Sequence, residues 1–394
     1  MVGMGVRFSF GVFFTSIATQ FDMSRAATSG FFSIYMLLCS VMAMLGGRAM
    51  DHYGPRKIGL AMGTFTGLSL LTTSQVNESW QLFVTYSLLL SLGTGAVHGM
   101  VNTTSSRWFE KKRGVAVGLT SSGASVSIFV IVPLATYLIT HYSWRTALIV
   151  LGIIAWFIIV MISLLLIKDP KKIGLLPDGV KPGNSLQAVG ENEKKDTSTG
   201  FSLCQALHMN QFWLLVSSWL LLSLSVHMIV VHFVAYAVDN SISPMRASSI
   251  LALMGVTSIF GRLVIGKLSD IFGRKALGVI SELIMCAALV WLMWSQRLWM
   301  LYLFAVVFGF LWGGSTTTVL ALFADIVGMR RLGTIMGVFS AGWALGAAMG
   351  PYIGGYIFDV SGSYFNAFGA GALSLFVAAC CIWFVQRIED DGHP

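Results

Sequence analysis

Long apolar stretches follow one another along this sequence and restrict the folds that it can adopt. A helix needs about 20 apolar residues to cross a bilayer, and the chain offers twelve such stretches separated by short polar segments. A transmembrane barrel would need alternating segments of about ten residues, and the sequence contains none. We therefore predict an all-α polytopic membrane protein. Its spans are expected at 1–20, 27–47, 58–77, 81–104, 114–140, 146–167, 211–238, 247–266, 276–295, 298–323, 332–358 and 364–386.

The basic residues predict how these spans are oriented, because cytoplasmic loops carry an excess of Lys and Arg. Alternate loops and the C-terminal tail hold 19 of the 25 basic residues, the opposite loops hold four, and Arg7 and Arg262 lie inside spans. Both termini are therefore expected on the cytoplasmic side of the cell (inner) membrane. The net charge of +8 follows from this orientation. It does not indicate a nucleic-acid partner, which would need a basic patch on an exposed domain.

A long polar stretch divides the chain into two sets of six spans. Residues 168–210 contain three prolines, several glycines and a run of mixed charge, a composition typical of a flexible linker. We predict an N-terminal half at 1–167, a cytoplasmic linker at 168–210 and a C-terminal half at 211–394. Span one begins at Met1 without a basic flank, so we expect the first helix to be truncated in this sequence.

The two halves repeat each other at an offset of 219 residues. Seven glycine or aspartate positions recur at this offset, which is hard to obtain by chance. The pairs are Gly47 and Gly266, Asp51 and Asp270, Gly54 and Gly273, Gly95 and Gly314, Gly114 and Gly333, Gly118 and Gly337, and Gly123 and Gly342. A duplicated six-span unit is the pattern of secondary transporters with two pseudo-symmetric halves and a site near the membrane midplane.

Three motifs in the sequence resemble those of a known family. Gly-x3-Asp-x2-Gly followed by Arg and Lys, found after spans two and eight, resembles the signature of the major facilitator superfamily. Residues 108–118 are similar to the motif that opens span five in the monocarboxylate transporter and oxalate/formate exchanger family, and residues 171–179 to its segment after span six. The resemblance implies the major facilitator fold and a carrier of small organic anions, commonly coupled to protons or to exchange.

Asp51 and Asp270 occupy the same place in the two copies of the first motif, at cytoplasmic helix ends. On family analogy, we interpret them as conformational gate residues. They would pair with basic residues or helix N-termini and lose those contacts in one state of the transport cycle. The basic residues that flank them are assigned to membrane orientation alone.

An arginine inside a membrane span is a candidate functional residue. Its insertion costs about 2.5–3.5 kcal/mol, so it normally faces a cavity or a partner. Arg262 shares a face of span eight with Gly255 and Ser258, and its permanent charge suits a carboxylate. In the resembling family, an arginine at this place binds the anion, which implies the same role for Arg262. The alternative is that the arginine has only a structural role. This alternative is stronger for Arg7 than for Arg262, because the depth of Arg7 in the membrane depends on where span one starts.

The sequence departs from the family at two places. Animal proton-coupled members carry an aspartate where this chain has Ser258, and the exchanger's lysine in span eleven has no counterpart in 332–358. Dicarboxylate exchange by a two-cation site is therefore less supported, unless Arg7 is the second cation. Proton symport would need another group to take the proton.

Span seven offers that group. His232, Tyr236 and Asp239 share one face of the helix, with Asp239 at its outer end. Asp239 near Arg262 would resemble the acid and arginine pair of bacterial family members, and an anion on the arginine would favour protonation of the acid. The alternative is a solvated helix-end aspartate. Glu282 in span nine is a second proton-coupling candidate, with pairing to a cytoplasmic basic residue as the alternative.

Span four has a polar stripe that includes His98 and Asn102. Such a stripe either joins helices through hydrogen bonds or lines a cavity, and we expect these two residues to line a substrate cavity. His227 lies on a different face of span seven from His232 and is expected to be packed or hydrogen-bonded.

The sequence contains no metal-ligand cluster, nucleotide-binding loop or nucleophile elbow. We therefore predict no enzyme, cofactor or metal. The favoured function is secondary active transport of small monocarboxylates of the lactate and pyruvate type, by proton symport and alternating access in a monomer. Its partners would be the organic anion, protons and the lipid bilayer. An anion exchanger of the oxalate/formate type, a non-transporting sensor on a carrier fold and an efflux pump for lipophilic cations are the alternatives.

Overall fold

The computed structural model describes residues 2–109, 113–167, 203–328 and 332–386. Most of the predicted linker, 168–202, therefore lies outside the described residues. The same holds for a few side chains within the helices, including those of Asp51 and Asn102. These side chains are at positions 51, 102, 106, 107, 113–119, 121 and 332–334.

Helices occupy all twelve predicted positions. In the first half they are α1 (Val2–Phe8), α2 (Phe10–Gln20), α3 (Arg25–Tyr53), α4 (Pro55–Thr73), α5 (Ser79–Leu82), α6 (Leu89–Thr94), α7 (Val97–Trp108), α8 (Arg113–His141) and α9 (Trp144–Leu165), with a π-helical segment at Phe83–Leu88. In the second half they are α10 (Leu203–Leu207), α11 (Asn210–Asp239), α12 (Pro244–Phe272), α13 (Arg274–Met293), α14 (Leu298–Val327), α15 (Leu332–Ser361) and α16 (Phe365–Phe384).

Length and hydropathy mark most of these helices as membrane spans. Among the described residues, nine helical stretches are long and apolar enough to cross a bilayer, or ten if α1 and α2, which meet at a 46° bend, form one span. Helices α4 and α15, at predicted spans three and eleven, have 19 and 30 residues. Both are rich in small residues, and α4 begins with the basic pair Arg56 and Lys57. The fold is the all-helical one that the sequence predicts.

The chain forms two compact units. The first comprises residues 1–191 and 230–255, and the second comprises 192–229 and 256–394. This division by contact differs at 230–255 from the division by sequence repeat, because the last turns of α11 and the first turns of α12 pack within the first unit. A methyl group on Gly11 of α2 would meet the Val230 carbonyl, and one on Gly255 would meet the Ser125 carbonyl. The end of the predicted linker forms α10, whose Ala206 is buried.

The repeated motif makes the same turn in both halves. Gly54 precedes α4 with φ 83°, and Gly273 precedes α13 with φ 94°. The Gly54 N–H donates to the Met50 carbonyl at 2.9 Å, and the Gly273 N–H donates to the Ser269 carbonyl at 3.0 Å. Positive φ is costly for residues that have a Cβ atom, which explains why glycine stands at both places.

Replacing Gly273 with alanine should lower the stability of the protein by about 1–2 kcal/mol. A Cβ atom there would meet nothing within 4 Å, so the cost comes from the backbone conformation alone. Gly337→Ala is the matched control, because Gly337 is exposed in a helix and also has open space around it. Helix propensity makes the control neutral or stabilising. Thermal unfolding in detergent measures both, and equal shifts in the two variants would contradict this account.

The crossing of α3 with the span formed by α6 and α7 is repeated by α12 and α14. A methyl group on Gly95 would lie 3.0 Å from the Cys39 carbonyl oxygen, and one on Gly313 would meet the carbonyl of Ser258. Ser258 is the residue 219 positions after Cys39. Such close approaches require small residues. They place Ser258 where α12 and α14 contact each other backbone to backbone.

Candidate functional site

Arg262 lies on α12, one turn after Ser258. Ser258 has no exposed surface, and Arg262 is half-buried. A side chain on the intervening Gly261 would meet the Phe310 carbonyl of α14, so the two helices are in direct contact just before the arginine. A tightly packed helix therefore fixes the backbone that presents this guanidinium, as a precise binding site requires.

Arg7 lies at the end of α1, just before the bend into α2. Ser9 stands at the bend, and its hydroxyl donates to the Val6 carbonyl at 2.8 Å. Arg7 is half-buried and close enough to Tyr35 and Tyr86 to interact with both electrostatically. Broken helices of this kind line the substrate sites of many secondary transporters. A substrate-binding role for Arg7 stays a prediction.

Two tyrosines that the sequence did not single out lie within electrostatic range of Arg7. The Tyr35 hydroxyl is 2.7 Å from the Thr94 hydroxyl, and the rings of Tyr35 and Tyr86 are 5.7 Å apart. The Tyr86 hydroxyl has no hydrogen-bond partner among the described residues. Tyr86 belongs to the π-helical segment, a distortion that is frequent at functional sites. A tyrosine within each of two apolar spans was the available sequence signal.

His98 follows the break between α6 and α7, and it is exposed. Ser91, which begins the same polar stripe, is fully buried, and its hydroxyl donates to the carbonyl of Leu88, three residues earlier. The residues of this stripe therefore differ in exposure: Ser91 is buried and His98 is exposed. The Asn102 side chain lies outside the described residues, so a cavity lined by His98 and Asn102 stays a prediction.

Asp239 ends α11 and forms an ion pair with Arg25, at the start of α3. The closest nitrogen–oxygen distance is 2.8 Å, and the two side chains are 38% and 20% exposed, respectively. The aspartate is therefore not simply solvated, as the alternative interpretation had it. Pairing with Arg262 stays a prediction, because Arg262 belongs to the other unit. Nothing in the sequence around Arg25 indicates a partner 214 residues away.

His232 and Tyr236 lie on the same face of α11, deeper in the first unit. His232 has no exposed surface. Its Nε2 atom lies 3.2 Å from the Ser29 hydroxyl of α3, and its ring meets the edge of Phe14 at 5.0 Å between centroids. Tyr236 is 8% exposed. These protein contacts hold the His232 side chain in place. It is therefore better suited to positioning its helix than to binding a substrate directly.

Glu282 lies on α13 in the second unit and has no exposed surface. Its Oε1 atom accepts long contacts from the hydroxyls of Ser218 at 3.3 Å and Ser315 at 3.5 Å. Among the described residues it has no basic partner. The sequence left open that Glu282 pairs with a cytoplasmic basic residue. The described residues show no such pair. His227 bonds its own helix through the Ser223 carbonyl, as expected.

Asp270 lies in the second copy of the motif and pairs with Arg274 of α13 at 3.1 Å. Arg274 also pairs with Asp325 of α14 and donates to the Ala321 carbonyl at 3.2 Å. This arginine therefore joins α12, α13 and α14 at their motif end, which corrects its assignment to membrane orientation alone. The Asp51 side chain, in the first copy, lies outside the described residues.

A surface cavity of about 510 Å³ opens at the C-terminal end of α2 in the first unit. It contains none of the site residues predicted from the sequence, so we do not assign the substrate to it. Its lining consists of Thr15, Ser16, Thr19, Gln20 and Trp144.

Comparison with known proteins identifies the family. The family model of the Major Facilitator Superfamily matches residues 1–239 and 215–394, which together cover the whole chain. This chain belongs to the Major Facilitator Superfamily. The predicted family and fold are thereby confirmed, and this facilitator is a transporter, not an enzyme.

Curated relatives of this facilitator include human monocarboxylate transporter 12, which is 24% identical over 96% of this chain and 76% of the relative. Monocarboxylate transporter 13 of Bos taurus is 25% identical over 94% of this chain and 83% of the relative. Among solved structures, a bacterial homolog of the human lysosomal transporter Spinster matches with a TM-score of 0.72 over 98% of this chain and 92% of the other, at 14% identity. At that identity the likeness shows the fold alone.

Proposed function

We propose that this facilitator is a proton-coupled symporter of small monocarboxylates of the lactate and pyruvate type. The observation that carries the proposal is Arg262, a half-buried guanidinium in an apolar span. Such a charge is retained in a bilayer when it has a functional partner. The names of the curated relatives, monocarboxylate transporters 12 and 13, support a carboxylate as that partner.

In this proposal, the guanidinium of Arg262 binds the substrate carboxylate through two parallel hydrogen bonds, which suits a planar anion. Arg7 contributes a second positive charge, with Tyr35 and Tyr86 beside it as hydroxyl donors. His98, Asn102 and Tyr236 serve as further contacts that define substrate size. Ser258 and His232, which are fully buried, act by positioning the helices that carry these residues.

The proton is assigned to Asp239. Protonation removes the charge that attracts Arg25, so binding a proton and loosening the contact between α3 and α11 are linked events. An anion that reaches the same region would compete with Asp239 for positive charge and favour its protonation. Proton and anion would then bind cooperatively, which is what symport requires.

The ion pairs of Asp270, Arg274 and Asp325 are assigned to the conformational gate, together with Asp51. Asp270→Asn should slow transport while leaving the substrate concentration for half-maximal rate nearly unchanged, because the gate does not touch the substrate. Initial rates of lactate uptake over a range of concentrations measure both quantities. Asp22→Asn, at an exposed aspartate, is the control. A maximal rate equal to that of the control would argue against the gate.

We also propose a location in the cell membrane with both termini cytoplasmic, because the loops on that side hold 19 of the 25 basic residues.

Purified protein in liposomes tests the proposed function directly. Radiolabelled lactate, pyruvate, formate, acetate and oxalate would be offered with and without an inward proton gradient. A proton symporter accumulates lactate or pyruvate only when the gradient is present. Accumulation that needs an internal counter-anion and ignores the gradient would indicate an exchanger instead, the second candidate, which the presence of Arg7 as another cation favours.

A further inference from the structure

A buried polar cluster lies where α11, α13 and α14 meet inside the second unit. We call it the Glu282 cluster, and it consists of Ser218, Ser281, Glu282, Ser315 and Thr318. All five are buried. Ser281 and Glu282 share a face of α13 with Gly278, and the Thr318 methyl would lie 3.8 Å from a Cβ atom on Gly278. The polar groups of both helices therefore face one small region.

Three polar atoms in this cluster have no hydrogen-bond partner among the described residues: Glu282 Oε2, the Ser281 hydroxyl and the Thr318 hydroxyl. Buried polar atoms are normally bonded, and each exception needs an explanation. The other Glu282 oxygen has only the two hydroxyl contacts at 3.3 and 3.5 Å, which are long for hydrogen bonds. Glu282 Oε2 could therefore form hydrogen bonds that the described residues do not provide.

This environment suits a neutral carboxyl group better than a carboxylate. A carboxylate can accept about four hydrogen bonds, and a buried ion without a counter-ion loses far more solvation than two long hydroxyl contacts return. A neutral acid needs only one acceptor for its proton. Hydroxyl groups can act as donors or acceptors, so they tolerate either form of the neighbouring acid.

The charged and titratable groups around the cluster are few within the described residues. The Cys381 thiol of α16 is close enough to interact electrostatically with Glu282, and Cys286 lies one turn further along α13. At the cytoplasmic end of α13, Arg274 is engaged with Asp325, and Lys275 lies over the Trp383 ring. None of these groups forms an ion pair with Glu282 in the described part of the chain.

We propose that Glu282 is a second proton-binding site of this facilitator, separate from Asp239. Its ligand is a proton, held on the carboxyl group while α11, α13 and α14 are packed as observed. Ionisation would require water or a cation to enter the cluster, so release of this proton is tied to separation of these helices. The transport consequence rests on the proposed function, whereas the protonation state does not.

Infrared spectroscopy of the purified full-length chain in lipid nanodiscs tests the site. At neutral pH we expect the carbonyl stretching band of a neutral carboxylic acid in the wild type. That band should be missing from Glu282→Gln. It should persist in Glu78→Gln, which changes an exposed glutamate in the same way. Identical spectra for the wild type and Glu282→Gln would overturn the proposal, because they would show that Glu282 is ionised.

Two further measurements keep the test decisive. Glu282→Gln should unfold at a temperature equal to or above that of the wild type, because an amide resembles the neutral acid, whereas a clear loss of stability would contradict a neutral Glu282. Loss of the band when sodium chloride replaces choline chloride would show that the site holds a sodium ion, which also overturns the proposal. Net lactate uptake should fall in Glu282→Gln. If the wild type carries no lactate, the infrared result still decides the protonation site.

Discussion

Replacing Arg262 with alanine is expected to abolish gradient-driven lactate uptake. The substrate carboxylate would lose a charged partner that forms two hydrogen bonds with it away from bulk water. Such a loss costs about 2–5 kcal/mol of binding free energy. Every 1.4 kcal/mol corresponds to about a tenfold change in affinity, so uptake at low lactate concentration should fall to the level of protein-free liposomes. Uptake of radiolabelled lactate into proteoliposomes measures the effect.

The same helix offers a matched control for that experiment. Arg246 lies in the first turn of α12 and is exposed, so Arg246→Ala removes an equal charge without touching the proposed site. It should transport like the wild type. Arg262→Lys should recover only part of the activity, since lysine keeps the charge but not the fork of parallel donors. Full activity in Arg262→Ala would remove the basis of the proposed anion site.

Asp239→Asn is expected to separate lactate uptake from the proton gradient. The amide cannot take up a proton in the required range, so an inward gradient should no longer stimulate transport. The fold should survive, because an ion pair whose side chains are 38% and 20% exposed contributes only about 0–1 kcal/mol. The ratio of uptake with and without the gradient is the measurement.

Arg25→Gln distinguishes a proton site from a merely structural ion pair. Arg25→Gln and Asp239→Asn remove the same ion pair, but only Asp239→Asn removes the titratable group. If Asp239 holds the proton, Arg25→Gln keeps a response to the gradient and Asp239→Asn loses it. Equal loss in both variants would show that the contact between α3 and α11 matters and the proton on Asp239 does not.

The sequence predicts the fold well because its signals are local. Span length and hydropathy follow from neighbouring residues. The repeat is visible by comparing short motifs 219 positions apart, and Gly54 and Gly273 make the same turn in the structure. The breaks in spans one and four were not predicted. One lies at Ser9, whose hydroxyl donates to the Val6 carbonyl, and the other lies between α6 and α7, after the π-helical segment at Phe83–Leu88. An apolar stretch has the same hydropathy with or without such breaks.

The candidate site was only partly predictable, because its contacts join distant parts of the chain. Arg262 and Arg7 are recognisable as charges inside apolar spans. The interaction of Tyr35 and Tyr86 with Arg7 depends on the fold, because the three residues are distant in the sequence. The partner of Asp239 depends on the packing of α11 against α3, which hydropathy and spacing do not encode. That Glu282 has no basic partner among the described residues likewise becomes visible only in the packed unit.

The central claim is that a proton and a monocarboxylate anion cross the membrane together. The most direct measurement loads proteoliposomes with a pH indicator and adds lactate outside, with equal pH on both sides at the start. The account predicts that inward lactate movement acidifies the lumen, faster than in Arg262→Ala liposomes, which correct for lactic acid that crosses the lipid unaided. Lactate entry without acidification beyond that control would contradict proton symport.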